Sequence, residues 1–156
     1  NVGFPGSGKS YFTKNNILPH DYVLINQDTL KTKAKCMKAF RAALDNKKSV
    51  VVDNTNLGPD SRKLYLDIAK EYDVKCRCLY FTTPKEVCKH NSYYRNYITN
   101  GDSKPIPTVV YRMMVKKFTE PVKEEGFYQI DKIDFKIDLD IKDIKLYKNF
   151  FYWYKL

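Results

Sequence analysis

The residues whose chemistry is easiest to interpret lie near the start of the chain, where positions 3–10 read G-x-x-x-x-G-K-S. In such a loop the glycines let the backbone fold back, so that successive N–H groups point inward and form a nest for phosphate oxygens. The lysine then reaches the β- and γ-phosphates of a nucleotide, and the serine hydroxyl ligates Mg²⁺ at the start of a helix. The alternative is an ordinary glycine-rich turn before a helix. The predicted ATP-binding residues are Gly3, Pro5, Gly6, Ser7, Gly8, Lys9 and Ser10.

Two acidic residues follow predicted strands, at the edge of the sheet where a P-loop lies. Asp53 ends the apolar run at 50–52 in the pattern of a Walker B acid, which holds Mg²⁺ directly or through a water. Its alternative role is to cap the following loop. Asp28 follows the predicted strand at 22–26 and is placed to accept a proton from an acceptor hydroxyl during phosphoryl transfer. Its alternative role, equally weighted on these grounds, is to cap the helix that begins near Leu30.

A third group of candidate residues lies on a helix predicted from residue 84 onward. Residues 83–86, Thr-Pro-Lys-Glu, indicate a capping box with proline at the first helical position. P-loop kinases close a mobile lid over the nucleotide, and we predict such a lid at about residues 84–107. Arg95 on this helix is placed to neutralise charge in the transition state, although a solvated helix face is the alternative. His90 is interpreted as a packed or capping residue rather than a catalytic one.

Strands and helices alternate along the rest of the chain, which is typical of a doubly wound, mostly parallel sheet with helices on both faces. Helices are predicted at about 10–16, 31–45, 61–72, 84–97 and 110–118, and strands at 22–26, 50–53, 74–82 and 127–139. The aromatic segment 149–154 is interpreted as a last strand, with a base-stacking platform as the alternative. The sequence therefore predicts one α/β domain over residues 1–156 with a P-loop kinase fold and a helical lid.

The residues before the P-loop are too few for the buried strand that normally precedes it, since only Asn1 and Val2 are present. We therefore expect this first strand to be largely missing from the sequence, and the chain to be part of a longer protein. Any targeting signal would lie outside these residues.

The composition is that of a globular domain with an excess of positive charge. The 156 residues are 43% hydrophobic and carry a formal charge of +10. This charge indicates a polyanionic partner, with a lysine-rich solubilising surface as the alternative. No apolar run is long enough to cross a bilayer. The four cysteines have neither C-x-x-C nor zinc-finger spacing, which predicts reduced thiols in a cytoplasmic or nuclear compartment.

Several of these segments together resemble the kinase domain of the polynucleotide kinase 3′-phosphatase family. They occur in the order of that family, at close to its spacing and over nearly the whole chain. A P-loop by itself is common, but G-F-P-G-x-G-K-S followed by D-N-T-N is much more specific. The segments are GFPGSGKS at 3–10, NQDTL at 26–30, DNTN at 53–56, SR at 61–62, CRC at 76–78, HN at 90–91 with Arg95, EGF at 125–127 and IDFKI at 133–137.

The resemblance implies an ATP-dependent 5′-hydroxyl polynucleotide kinase, which transfers the γ-phosphate of ATP to the end of DNA or RNA in nucleic-acid end repair. It implies that Asp28 is the general base, that Lys9 and Ser10 are ligands of the phosphates and Mg²⁺, and that Arg95 is the lid arginine. It also implies that Thr55 and Arg62 lie toward the acceptor strand.

The sequence departs from the family pattern at two positions. Gln27 stands where the family often has an arginine before the general base, and Tyr93 stands where it has a second lid arginine. Lys31, one helical turn after Asp28, is a candidate for the replacement charge on the acceptor side. We therefore include Lys31 among the predicted nucleic-acid contacts.

Two other functions are compatible with the same P-loop. The first is a small-molecule kinase for nucleosides or sugars, and the second is a nucleotide-gated nucleic-acid binder without catalysis. The phosphatase half of the family uses a D-x-D-G-T motif, which does not occur in these residues. A 3′-phosphatase domain is therefore expected, if anywhere, upstream of Asn1.

Overall fold

The computed structural model describes residues 1–137 and 141–153, and helices alternate in it with short parallel strands as predicted. The helices are α1 Lys9–Phe12, α2 Gln27–Leu30, α3 Lys33–Asp45, α4 Pro59–Glu71, α5 Lys85–Ile98, α6 Thr108–Lys117 and α7 Ile141–Trp153. The strands are β1 Val23–Ile25, β2 Val50–Val52, β3 Arg77–Phe81 and β4 Gln129–Ile133. A π-helical turn, Thr13–Ile17, continues α1, and 3-10 turns lie at Leu18–His20 and Lys123–Glu125.

The strands form two parallel pairs rather than one continuous ladder. β1 pairs with β2, with Val23 opposite Val50, and β3 pairs with β4, with Arg77 opposite Gln129. Parallel strands need a crossover connection, which α2 and α3 provide between β1 and β2. The predicted α/β class and parallel strand direction are therefore confirmed.

Asn1 and Val2 lie between the two strand pairs and connect them. The terminal amine of Asn1 donates a hydrogen bond to the carbonyl of Val52, at 2.9 Å. The Val2 N–H donates to the Leu79 carbonyl at 2.8 Å, and the Phe81 N–H donates to the Val2 carbonyl at 2.9 Å. The first two residues thus lie between β2 and β3, and the P-loop begins next to the carboxyl ends of these two strands.

The main hydrophobic core lies between β1 and the helices α3 and α4. Its buried members are Ile25, Cys36, Phe40 and Ile68, which are 0–5% exposed. Fully burying a large apolar side chain contributes about 1.5–3 kcal/mol, so this cluster fixes β1 against the helices. Val52 at the end of β2 also packs on this cluster, so the carboxyl ends of β1 and β2, which precede the two candidate acids, are held against the helices.

The last predicted strand is shorter in the structure than in the sequence prediction. The alternating pattern at 127–139 predicts a longer strand, but β4 has only five residues. It pairs along its whole length with β3, which also has only five residues. Residues 138–140 lie outside the described part of the chain.

The aromatic segment near the end of the chain is helical, so the prediction of a last strand at 149–154 is wrong. Residues 149–153 lie in α7, and residue 154 lies outside the described part of the chain. Tyr147 and Phe150, three residues apart on one face of α7, pack their rings against His90 and Tyr94 of α5. This i, i+3 contact requires a helix. Among the described helices, α7 included, none has the length and apolar character needed to span a bilayer.

Candidate active site

The backbone of the P-loop has the shape of a phosphate nest. Gly6 and Gly8 have φ angles of +84° and +93°, in the left-handed region that favours glycine. At Gly6 the loop also lies directly on α5, because a Cβ built there would be 2.2 Å from the Cys88 carbonyl oxygen. The loop therefore requires glycine at position 6 for both conformation and space. This arrangement fits the predicted role in binding phosphates.

Lys9 lies at the first position of α1, and its ammonium group is folded back over the loop. It donates hydrogen bonds to the carbonyls of Phe4 at 2.7 Å and Gly3 at 3.0 Å. The side chain is buried, and burial lowers the pKa of Lys9 to about 8, although the nearby Asp53 carboxylate opposes this shift. A buried ammonium beside a glycine-rich nest is suited to binding the phosphates of a nucleotide.

The outer side of the P-loop is held by side chains from α5 and from the segment between β3 and α5. The Thr83 hydroxyl donates to the Ser7 carbonyl at 2.9 Å, and the Asn91 amide donates to the Gly6 carbonyl at 2.8 Å. The predicted capping box at 83–86 is therefore wrong. Pro84 is itself the N-cap of α5, without a side-chain hydrogen bond, and the Thr83 hydroxyl holds the P-loop instead. No local sequence pattern indicates this contact, because the two residues are 76 positions apart in the chain.

Phe4, Pro5 and Ser10 lie in different environments within the P-loop. The ring of Phe4 packs against Tyr111 of α6 and Phe118, with centroid distances of 5.6 and 5.1 Å. Pro5 beside it is half-buried, and Ser10 is exposed on the first turn of α1, where its hydroxyl is accessible. The Phe4 side chain thus anchors the loop while Ser10 faces outward.

Asp53 lies buried at the carboxyl end of β2. One carboxylate oxygen accepts a hydrogen bond from the Asn1 amide at 3.0 Å, and the Asp53 carbonyl accepts one from the Asn26 side chain at 2.6 Å. The described residues contain no group of three or more His, Cys, Asp or Glu side chains able to hold a metal ion. Mg²⁺ in kinases is typically bound by one or two protein groups plus substrate phosphates, so Ser10 and Asp53 fit this mode.

Asp28 lies on the exposed first turn of α2, and the structure gives its capping role to other residues. Asn26 is the N-cap of α2, accepting from the Asp28 and Thr29 N–H groups, and Thr32 is the N-cap of α3. The Asn54 side chain accepts from the Gln27 N–H at 2.9 Å. Asn26 and Asn54 therefore tie the ends of β1 and β2 together and fix the position of Asp28. The alternative that Asp28 caps a helix is excluded.

The charged candidates from different segments converge on Lys9. The charges of Asp53, Arg95 and Asp28 all act on the Lys9 ammonium, the carboxylates raising its pKa and the guanidinium lowering it. Arg95 is exposed on the last turn of α5, and Lys31 is exposed after α2 with its ammonium 2.6 Å from the Asp28 carbonyl oxygen. The predicted base, the predicted lid arginine and the P-loop lysine therefore lie close enough for their charges to interact. His90 is buried, as predicted.

The two remaining acceptor candidates lie differently from each other. Thr55 is half-buried, and its carbonyl accepts from the Gly3 N–H at 3.0 Å. Arg62 is only 2% exposed and cannot face an acceptor strand. Its guanidinium forms a bidentate pair with Glu125, at 2.6 and 2.7 Å, and also donates to the Thr119 carbonyl at 3.0 Å. The prediction that Arg62 contacts nucleic acid is corrected to a role in joining α4 to the segment 119–125.

Comparisons with known proteins agree with this geometry. A protein-family model described as an AAA domain matches residues 1–121. The chain belongs to this family. The bifunctional polynucleotide phosphatase/kinase of Schizosaccharomyces pombe is 40% identical over 154 residues, which cover 99% of this chain. A protein of Acanthamoeba polyphaga mimivirus with the same two activities in its name is 42% identical over 96% of this chain. The chain spans 36% of the length of each of these relatives.

The fold is also similar to solved structures. A gluconokinase from Sinorhizobium meliloti 1021 superposes with a TM-score of 0.60 at 15% sequence identity, covering 97% of this chain and 94% of that one. At this identity the likeness concerns the fold alone. This likeness confirms the predicted P-loop kinase fold. The sequence similarity of the chain to the two polynucleotide phosphatase/kinase relatives confirms the resemblance that was identified from the motifs.

Proposed function

We propose that this domain is an ATP-dependent 5′-hydroxyl polynucleotide kinase that acts on the ends of DNA or RNA in end repair. The observation that carries the proposal is the position of Asp28. Its exposed carboxylate lies just after β1, and its charge acts on the Lys9 ammonium, as the charge of Asp53 does. The names of the two relatives supply the substrate class. The formal charge of +10 suits a polyanionic acceptor.

In the proposed reaction the 5′-hydroxyl oxygen of the acceptor attacks the γ-phosphorus of ATP. The hydroxyl proton passes to the Asp28 carboxylate, the bond between the γ-phosphorus and the β–γ bridging oxygen breaks, and ADP leaves. Lys9 and the P-loop N–H groups bind the phosphates, and Arg95 stabilises the negative charge on the transferred group. Ser10 and Asp53 would hold Mg²⁺, which would supply further neutralisation of that charge.

The lid and the acceptor side of the site follow from the same proposal. Residues 84–107, which comprise α5 and the following loop, are the proposed lid segment. Because Cys88 and Asn91 of α5 contact the P-loop, the helix lies against the phosphate site, and Arg95 on its last turn is the proposed lid arginine. Lys31 and Thr55 are the proposed acceptor contacts. Lys31 supplies positive charge beside Asp28, in the region where Gln27 replaces the arginine of the family pattern.

The test is transfer of label from γ-labelled ATP to a 5′-hydroxyl oligonucleotide. Asp28→Asn is expected to lower kcat by about 10²- to 10⁴-fold, because the amide cannot accept the proton. ATP affinity should change much less than kcat, since Asp28 acts on the P-loop only through its charge and no hydrogen bond joins the two among the described residues. Asp73→Asn is the matched control, because Asp73 is exposed and its φ of +52° is one that asparagine tolerates well.

The outcomes separate the alternatives. Full activity in Asp28→Asn would contradict the assignment of the general base. Label transfer to nucleosides or sugars but not to oligonucleotides would favour a small-molecule kinase. ATP-dependent oligonucleotide binding without labelled product would instead indicate a non-catalytic nucleotide-gated binder.

A further inference from the structure

Two consecutive carbonyl groups of the P-loop are turned outward and held by side chains. The Gly6 carbonyl accepts from Asn91, and the Ser7 carbonyl accepts from Thr83. In a trans peptide the C=O and the following N–H point in opposite directions. Holding the Gly6 carbonyl therefore fixes the direction of the Ser7 N–H, and holding the Ser7 carbonyl fixes that of the Gly8 N–H. The Ser7 N–H donates to the Phe4 carbonyl at 3.1 Å, which closes the turn at residues 4–7, and the Gly8 N–H forms part of the predicted phosphate nest.

The Asn91 amide has partners on both sides, and together they determine its orientation. Its nitrogen donates to the Gly6 carbonyl at 2.8 Å, and its oxygen accepts from the Tyr147 hydroxyl at 2.5 Å. The flipped amide would place its oxygen against the Gly6 carbonyl, where two acceptors repel each other. The Tyr147 hydroxyl therefore acts as the donor that keeps the amide nitrogen toward the P-loop.

Tyr147 is itself held in place by packing between α7 and α5. The residue is 8% exposed, and its ring lies edge-on to His90 at 4.4 Å and to Tyr94 at 5.1 Å. Burial raises the pKa of the Tyr147 hydroxyl to about 12, so it remains a proton donor at neutral pH. The series Tyr147, Asn91, Gly6 thus connects α7 to the P-loop through two hydrogen bonds.

We propose that Tyr147 is a positioning residue for nucleotide binding, which acts through Asn91 to fix the orientation of the peptide between Gly6 and Ser7. The helix α7 thereby contributes to phosphate affinity without contacting the nucleotide. The inference rests on the proposed function only in that it requires the P-loop to bind ATP. It does not depend on which acceptor is phosphorylated.

The test is the affinity of the full chain for fluorescently labelled ADP with Mg²⁺, measured by titration. Removing one hydrogen bond of this kind is expected to weaken binding about threefold for Tyr147→Phe and about tenfold for Asn91→Leu. The double variant should bind like Asn91→Leu alone, about tenfold weaker rather than about thirtyfold, because the two groups act in series. Because the readout is nucleotide binding, failure of the polynucleotide kinase proposal would leave this result interpretable.

Tyr94→Phe is the matched control, since it removes a hydroxyl from the same aromatic cluster without touching the path to Gly6. It should leave ADP affinity unchanged, and in the kinase assay Tyr147→Phe should raise the KM for ATP but not the KM for the oligonucleotide. Equal effects of Tyr147→Phe and Tyr94→Phe would overturn the proposal. Additive effects in the double variant would also overturn it, because independent contributions exclude action through Asn91.

Discussion

The two halves of the site are built in different ways. In the proposed donor half, which is the P-loop at 3–10, a buried lysine lies over a backbone that Thr83, just before α5, and Asn91 of α5 hold from outside. In the proposed acceptor half, the charged groups Asp28 and Lys31 are exposed in and directly after the short helix α2. The phosphate nest is therefore organised before nucleotide arrives, whereas the acceptor groups are solvated.

This difference indicates how each ligand is bound. A nest of N–H groups in a fixed geometry stabilises phosphate without reorganisation, so the donor half should be sensitive to small changes in backbone shape. Exposed charges act through a field that salt screens over about 8–10 Å, so the acceptor half should be sensitive to ionic strength instead. Each of the following predictions examines one side of this comparison.

The largest expected effect concerns Arg62, which was predicted in the acceptor half but lies in the buried framework. Arg62→Met should lower the free energy of unfolding by about 3–5 kcal/mol, because it removes the buried arginine partner of the Glu125 carboxylate, whose side chain is only 13% exposed. Chemical denaturation measures this change. Lys63→Ala, at the neighbouring exposed position, should have almost no effect. A stable Arg62→Met variant with a raised KM for the oligonucleotide would instead show that Arg62 contributes to binding the acceptor.

The second prediction concerns the shape of the donor half. Gly6→Ala should weaken nucleotide binding about 100-fold, because the methyl group collides with the Cys88 carbonyl and φ is +84°. Gly126→Ala is the control, since Gly126 also has a positive φ, +109°, but no atom lies within 4 Å of the added Cβ. Titration with labelled ADP compares the two. Equal affinities would show that the nest is not rigid.

The third prediction concerns the charge of the donor half. Burial lowers the pKa of Lys9 to about 8 in the free protein, and bound phosphates raise it again. The bound state therefore holds the proton more tightly, so affinity is greatest below about pH 8 and falls as pH rises above it. We expect about a tenfold loss for each pH unit above pH 8. ADP titrations at several pH values measure this slope, and Lys9→Met should bind weakly with no such slope.

Local sequence patterns were sufficient to predict the P-loop and the strand ends that carry the two acids. The G-x-x-x-x-G-K-S string located the nest, and the runs before Asp28 and Asp53 located the strand ends that carry both acids. Parallel strands bring their carboxyl ends to one edge, so the convergence on Lys9 followed from the order of elements.

The remaining features depend on contacts between distant segments, which no local pattern encodes. Thr83 satisfies the pattern of a helix cap, yet its hydroxyl donates to the P-loop 76 residues away. The burial of Arg62 requires Glu125, which is 63 residues away, and the helical state of 149–153 is favoured by packing against α5. In each case tertiary contact overrode the local preference.

The smallest expected effect concerns the acceptor half, where a single exposed charge contributes through the field of the site. Oligonucleotide binding should weaken log-linearly with salt, and Lys31→Ala should reduce the slope by about 0.7, the value for one phosphate of a single strand. Lys70→Ala, exposed on the last turn of α4, is the matched control and should leave the slope unchanged. Fluorescence anisotropy with a 5′-hydroxyl oligonucleotide at several salt concentrations measures these slopes. Because Lys31 holds the Asp28 carbonyl as well, a fall in kcat with an unchanged slope would show that it positions the base rather than the strand.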